Sequence, residues 1–318
     1  MLNTEKPACS VEFVGDVALV GTYELRTDSN TKHGSVRRYD AAIVDVHAMP
    51  SAVLDLKVSC DERAIACALS DGSVALLDAA SMSATGSLTR SHATLALALA
   101  LEWSDRKAHD AGQRHLAASY SDGFVALFDA SRGTAVHEWK AHDAEAWTVA
   151  YDCWQPAVVM SGADDSRFKV WDVRAGLDTP TSVLRYDMGV TAVQSHTQRE
   201  HVVAVGSYDE SVTILDLRAV REPLARHASG GGVWRLKWQP GGSDYLLAAC
   251  MHAGFCVVRF DAAERRLVPV QDWFAPHVSM AYGADWHRDG RTIGSCSFYD
   301  CLFTLRPFES PAPSGRPE

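Results

Sequence analysis

The chain has 318 residues, 47% of them hydrophobic, enough to build a large core. Its formal charge of −10 and pI of about 5.7 have the wrong sign for a nucleic-acid surface and suit a neutral or basic partner. No run of 18 apolar residues is present and MLNTEKPACS has no apolar h-region, so neither a membrane span nor a secretory leader is expected.

In chain order, seven short segments carry the same turn between apolar strands: VGTYE (20–24), ALSDG (68–72), SYSDG (119–123), GADDS (162–166), GSYDE (206–210), CMHAG (250–254) and SFYDC (297–301). Aligned on Glu24, Asp71, Asp122, Asp165, Asp209, Ala253 and Asp300, they are spaced by 47, 51, 43, 44, 44 and 47 residues. A period in the forties with a strand on each side of the turn predicts an all-β, seven-bladed β-propeller of WD repeats. The ring is expected to span residues 1–306 as a single domain.

The first repeat begins near Cys9 and carries a polar loop, TDSNTKHGS (27–35). The third carries a longer one, SDRKAHDAGQRH (104–115). The fourth is the most regular: WTVAY and AVVMSG are strands, and Asp164-Asp165 turns into FKVWDV. His142, Ser161, Asp165 and Trp171 stand where the internal hydrogen-bond tetrad of a WD repeat belongs, so His142 reads as structural. The seventh repeat is one strand short, and the residues before Ser10 are available to supply it and close the ring. The tail PFESPAPSGRPE (307–318) is Pro- and Ser-rich and is expected to be disordered.

The eight cysteines include no CxxC, and most fall inside apolar strands such as AIACAL and LLAACM. They read as small buried hydrophobes in a reducing, cytoplasmic setting. There is no GxSxG, HExxH, Walker loop or GxGxxG. Ser166-Arg167-Phe168-Lys169 matches SxxK but falls on a turn and strand, not a helix. Cysteine and histidine spacings suggest no zinc site, and neither a metal nor another cofactor is expected.

In a ring of equivalent blades, chemistry lies where the repeats differ on one face. Early in each innermost strand stand Cys9, Leu54, Leu99, Trp147, Thr191, Trp234 and Tyr282. Just before each turn stand Tyr23, Ser70, Ser121, Asp164, Tyr208, His252 and Tyr299. Blades four to seven and one hold nearly all the aromatic and ionisable groups. Blades two and three offer Leu and Ser. The pattern predicts a lopsided aromatic pocket with Asp164 and His252 as its titratable groups. The alternative is that the rings only plug the channel or form a peptide-binding hot spot.

Much of residues 140–302, through EAWTVAYDCWQPAVVMSGADDSRFKVWD, QREHVVAVGSYDESVTILDLR, GGVWRLKWQP, LLAACMHAGF, YGADW and SCSFYD, resembles the diphthine methylesterase family of diphthamide biosynthesis. The opening VALVGTYEL is similar to that family's first repeat, whereas repeats two and three match weakly. The resemblance implies hydrolysis of the methyl ester of over-methylated diphthine on translation elongation factor 2; a monomer with no direct nucleic-acid or membrane contact is expected. That substrate carries a trimethylammonium group, which aromatic faces attract. Trp147, Trp234 and Tyr282 are then expected to hold it, with Tyr23, Tyr208 and Tyr299 at the rim. His252 would activate water, and Asp164 would orient His252 or bind the cation.

Other residues near these motifs have structural readings beside the chemical ones. Cys250 is a nucleophile candidate in a strand that suggests packing. Asp285 reads as an anchor for a neighbouring backbone. Arg235 either polarises the ester carbonyl or forms a strand ion pair. Trp171-Asp172-Val173-Arg174 fits the W-D-x-R pattern of substrate receptors for cullin-type ubiquitin ligases, and Leu215-Asp216-Leu217-Arg218 nearly repeats it. The competing function is therefore a non-catalytic scaffold or such a receptor.

Overall fold

A computed structural model of the chain describes residues 1–40, 42–91, 95–104 and 115–310. These form seven antiparallel sheets arranged as the blades of a β-propeller. The innermost strands are Ala8–Val14, Val53–Val58, Ala98–Trp103, Thr148–Tyr151, Val190–Ser195, Arg235–Trp238 and Ala281–Trp286.

Period-two alternation builds the core. In Ala64–Leu69, the second strand of blade two, Ile65, Cys67 and Leu69 pack toward blade one. Ala66 and Ala68 pack toward blade three. A strand covered on both faces reads as a continuous apolar run, and successive side chains serve successive junctions. Seven such clusters are found among the described residues, one per blade junction. Gly162 and Gly206 let the next blade come close, because a Cβ on either would collide with Val190 or Val233.

The ring closes as the strand count required. Leu2–Asn3 forms the outer strand of blade seven, with Leu2 opposite Phe303 and Asn3 opposite Leu302. The Thr4 N–H then donates to the Cys301 carbonyl at 2.8 Å. The N-terminal residues thus cover part of the edge of Leu302–Pro307 and leave only a two-residue strand at the outside of the blade.

The fourth-blade tetrad forms. His142 Nδ1 lies 3.0 Å from Asp165 Oδ1, its Nε2 lies 2.8 Å from Ser161 Oγ, and the Trp171 indole N–H donates to that hydroxyl at 2.9 Å. Burial holds the His142 pKa below its ordinary value, so the ring is a neutral structural group. Blade seven has a relative of this device that the sequence did not suggest. His277 Nδ1 meets Ser297 at 2.6 Å and its Nε2 meets Ser295 and Thr304 at 3.1 Å.

Some expectations change. The polar segment 27–35 is mostly a hairpin: Glu24–Arg26 pairs with the start of Thr31–Asp40, leaving only 27–30 as the turn. Asn30 takes φ 51°, which an asparagine tolerates, so the strands meet sooner than polarity suggested. The expected tail begins later than residue 307, because Phe308 is buried against Trp286 and Tyr245. Its remainder, 311–318, lies outside the described residues, as does 105–114 of the blade-three loop. All eight cysteines are free thiols; Cys9, Cys67, Cys153, Cys250 and Cys296 are buried, and Cys60 is exposed.

Candidate functional site

At one end of the central channel lies a cavity of about 320 Å³. All seven predicted inner-strand residues line it: Cys9, Leu54, Leu99, Trp147, Thr191, Trp234 and Tyr282. The walls differ in kind. Blades four, six, seven and one contribute Trp147, Trp234, Tyr282, Phe298 and Tyr23, whereas blades two and three contribute leucines.

The rings form one continuous belt. Trp147 and Trp234 have centroids 5.6 Å apart, Trp234 and Tyr282 4.9 Å, Tyr282 and Phe298 5.4 Å, and Phe298 and Tyr23 6.1 Å. Their tilts present both faces and edges to the cavity. Burial pushes the Tyr282 hydroxyl up to about 12 and raises that of Tyr23, so both are neutral phenols. Burial, joined by the nearby Cys296, raises the Cys9 thiol well above its ordinary value, which makes it a poor nucleophile.

The pre-turn residues divide. Tyr23 and Ser121 line the cavity. Tyr208 stands beside it, 6.4 Å from Trp147 and 6.1 Å from Trp234. It lies between Gly189 and Gly232, where an added Cβ would come within 3.1 Å of its ring from either side. That close approach is a physical reason for the second glycine of GGVWR, while a Cβ on the first, Gly231, would collide with the Cys250 carbonyl. Ser70 is bound to Ser51 and to the Ala52 N–H at the blade-two turn.

Asp164 is exposed, and its Oδ1 accepts the Trp147 indole N–H at 3.3 Å, so it orients a tryptophan of the cavity. No hydrogen bond or ion pair joins it to His252. His252 lines an adjoining groove with Phe274, Val278, Ser279, Met280, Tyr299 and Asp300. Its side chain is 60% exposed, and Nε2 lies 3.9 Å from Glu210. Tyr299, 72% exposed, stacks edge-on against Phe298 at 4.9 Å and so connects groove and cavity.

Four lining residues escaped sequence reasoning: Leu97, Ala100, Glu145 and Phe298. Leu97 and Glu145 lie just ahead of the innermost strands Ala98–Trp103 and Thr148–Tyr151, in the approach to the strand, where alternation gives no direction. Phe298 follows the strand Thr292–Ser297 and belongs to the turn, where alternation no longer applies. The anchor reading of Asp285 is seen, its Oδ2 accepting the Phe13 N–H at 3.2 Å. Cys250 is buried in the blade five–six core and is packing. Arg174 and Arg218 of the W-D-x-R-like segments fold back onto Asp172 and Asp216, at 2.7 and 2.6 Å.

Comparison with known proteins agrees with this architecture. The WD domain, G-beta repeat pattern matches residues 133–172. A propeller in the crystal structure of the mitotic checkpoint complex superposes with a TM-score of 0.76 over 98% of this chain and 89% of that one, at 16% identity, a likeness of fold alone. Proteins named diphthine methyltransferase are similar in sequence. That of Schizosaccharomyces pombe is 32% identical over 309 residues, covering 91% of this chain and 90% of its own. A homolog from Dictyostelium discoideum is 39% identical over 231 residues, and the human protein 40% over 198; these alignments cover 65% and 60% of this chain. They span only 61% and 44% of those two relatives' length. With a relative matched nearly end to end and the propeller complete, the chain belongs to the diphthine methyltransferase family of WD-repeat proteins.

Proposed function

We propose that the chain hydrolyses the methyl ester of over-methylated diphthine on translation elongation factor 2, as a step of diphthamide biosynthesis. The carrying observation is the aromatic belt around the cavity, in a chain whose relatives are named for diphthine. Trp147, Trp234 and Tyr282 would take the trimethylammonium group, each ring contributing on the order of 0.5–2 kcal/mol. Tyr208 supports the two tryptophans from beside them, Tyr23 borders the rim, and Tyr299 meets the polypeptide that carries the modified side chain.

The reaction balances with water alone. The water oxygen adds to the ester carbonyl carbon and the C–OCH3 bond breaks. Methanol departs with one proton, and the new acid ionises. Two groups are able to take the water's proton. Glu145 is among the residues that line the cavity and brings an ionisable carboxyl group to that wall. His252, beside Glu210, stands in the adjoining groove and would act from the mouth. Asp164 fixes Trp147 rather than His252.

The test is methanol release, with loss of the methyl ester mass, from over-methylated elongation factor 2 in buffer containing no methyl donor. Turnover supports the esterase. Methyl gain that depends on S-adenosylmethionine would replace hydrolysis by transfer. With folded protein and authentic substrate, no reaction of either kind would favour a binding module.

A further inference from the structure

Beneath the aromatic belt, a band of buried charge crosses the channel. Glu12 and Asp285 pair with Lys237, and Glu12 also lies 3.2 Å from Lys57. Lys57 lies 2.8 Å from Asp55, which in turn lies 3.1 Å from the Arg235 guanidinium. Asp55 has no exposed surface and also accepts the Leu101 N–H at 3.0 Å. Blades two, three and six therefore meet at this carboxylate.

Arg235 differs from the two lysines because it also lines the cavity. Its side chain is 16% exposed, against 7% for Lys57 and 5% for Lys237. Asp55 holds it from behind but divides its charge between two cations and a backbone donor. A guanidinium carries five N–H donors, more than the one ion pair with Asp55 engages, and Arg235 also lines the cavity. A fixed cation would repel a ligand that is only a cation. It suits one that carries a quaternary ammonium and a carboxyl group together.

We infer that Arg235, positioned by Asp55, is an anion subsite at the floor of the cavity. The ligand class is an α-trimethylammonio carboxylate or its methyl ester. The ammonium lies against Trp147, Trp234 and Tyr282, and the carboxyl end meets Arg235. This rests on the esterase reading and deepens it. The ester carbonyl oxygen accepts one N–H; as water adds, that oxygen becomes anionic and the bond strengthens. Once methanol has left, the carboxylate accepts two. Arg235 then stabilises the transition state and the product more than the ester.

Isothermal titration with glycine betaine, tetramethylammonium and acetate tests this. In the wild type, betaine binds at least tenfold more tightly than either single-charge probe. The double variant R235M/D55N removes a charge pair together, so that no buried charge is stranded. It should bring betaine to the level of tetramethylammonium while leaving tetramethylammonium no weaker. R235K should recover part of the preference. Equal binding of betaine and tetramethylammonium by the wild type, or a preference that survives in the double variant, overturns the inference. Methanol release without betaine preference would remove the subsite and leave the esterase standing. Betaine preference without methanol release would do the reverse.

Discussion

Two walls of one cavity occupy equivalent backbone positions and differ in chemistry. Trp147, Trp234 and Tyr282 face Leu54 and Leu99, each at the start of its blade's innermost strand, with Trp147 and Trp234 one residue ahead of it. Behind them the blades are built alike, with an apolar cluster at every junction. Packing constrains the residues that face the next blade and leaves free those that face the channel. A propeller thus sets seven places, and the side chain put at each decides what is bound.

The largest test asks whether chemistry belongs to the aromatic side. Glu145→Gln should lower kcat about 100-fold or more with little change in KM, measured by methanol release. A rate within threefold of wild type would remove Glu145, and a matching loss in His252→Gln would move the base to the mouth. Full rate in His252→Gln would confine that residue to the groove.

Next, the walls themselves can be compared. Trp234→Ala should lower kcat/KM by about 30-fold, roughly 2 kcal/mol, through lost ring contact with the ammonium. Leu99→Ala should leave kcat/KM within threefold while costing about 2 kcal/mol of folding stability by denaturant titration. Equal kinetic losses from the two walls would break the comparison.

Acid should act on the scaffold instead of the belt. Burial lowers the His277 pKa from 6.5 to about 4. The unfolded chain therefore takes up this proton first, so stability is full above pH 6.5 and is lost as pH falls toward 4. Allowing for solvent screening, the loss is about 1–2 kcal/mol, and His277→Gln should flatten the melting temperature across that window. An unchanged slope would show that His277 does not carry it.

The smallest effect lies in the fourth-blade turn. Ser166 takes φ 61° where blades two and three have Gly72 and Gly123, at 86° and 80°. Ser166→Gly should relieve left-handed backbone strain and stabilise the fold by about 0.5–1 kcal/mol, read as a rise in melting temperature. A lower melting temperature would mean that the serine side chain contributes more than the strain costs.

Sequence alone determined the repeat, the blade number, the His142–Asp165 tetrad and the seven inner-strand residues of the cavity. All of these follow from periodicity: equal spacing makes blades equivalent, and alternation assigns each strand residue a direction. Contacts between distant parts of the chain were not legible. That Phe298 links Tyr282 to Tyr23, that His252 belongs to a separate groove, and that Asp164 holds Trp147 depend on how turns from different blades meet across the ring. Arg235 shows the division most clearly. Its sequence position allowed either a strand ion pair or a polarising group. Only the assembled ring shows that Arg235 has both neighbours, Asp55 behind it from blade two and the cavity before it.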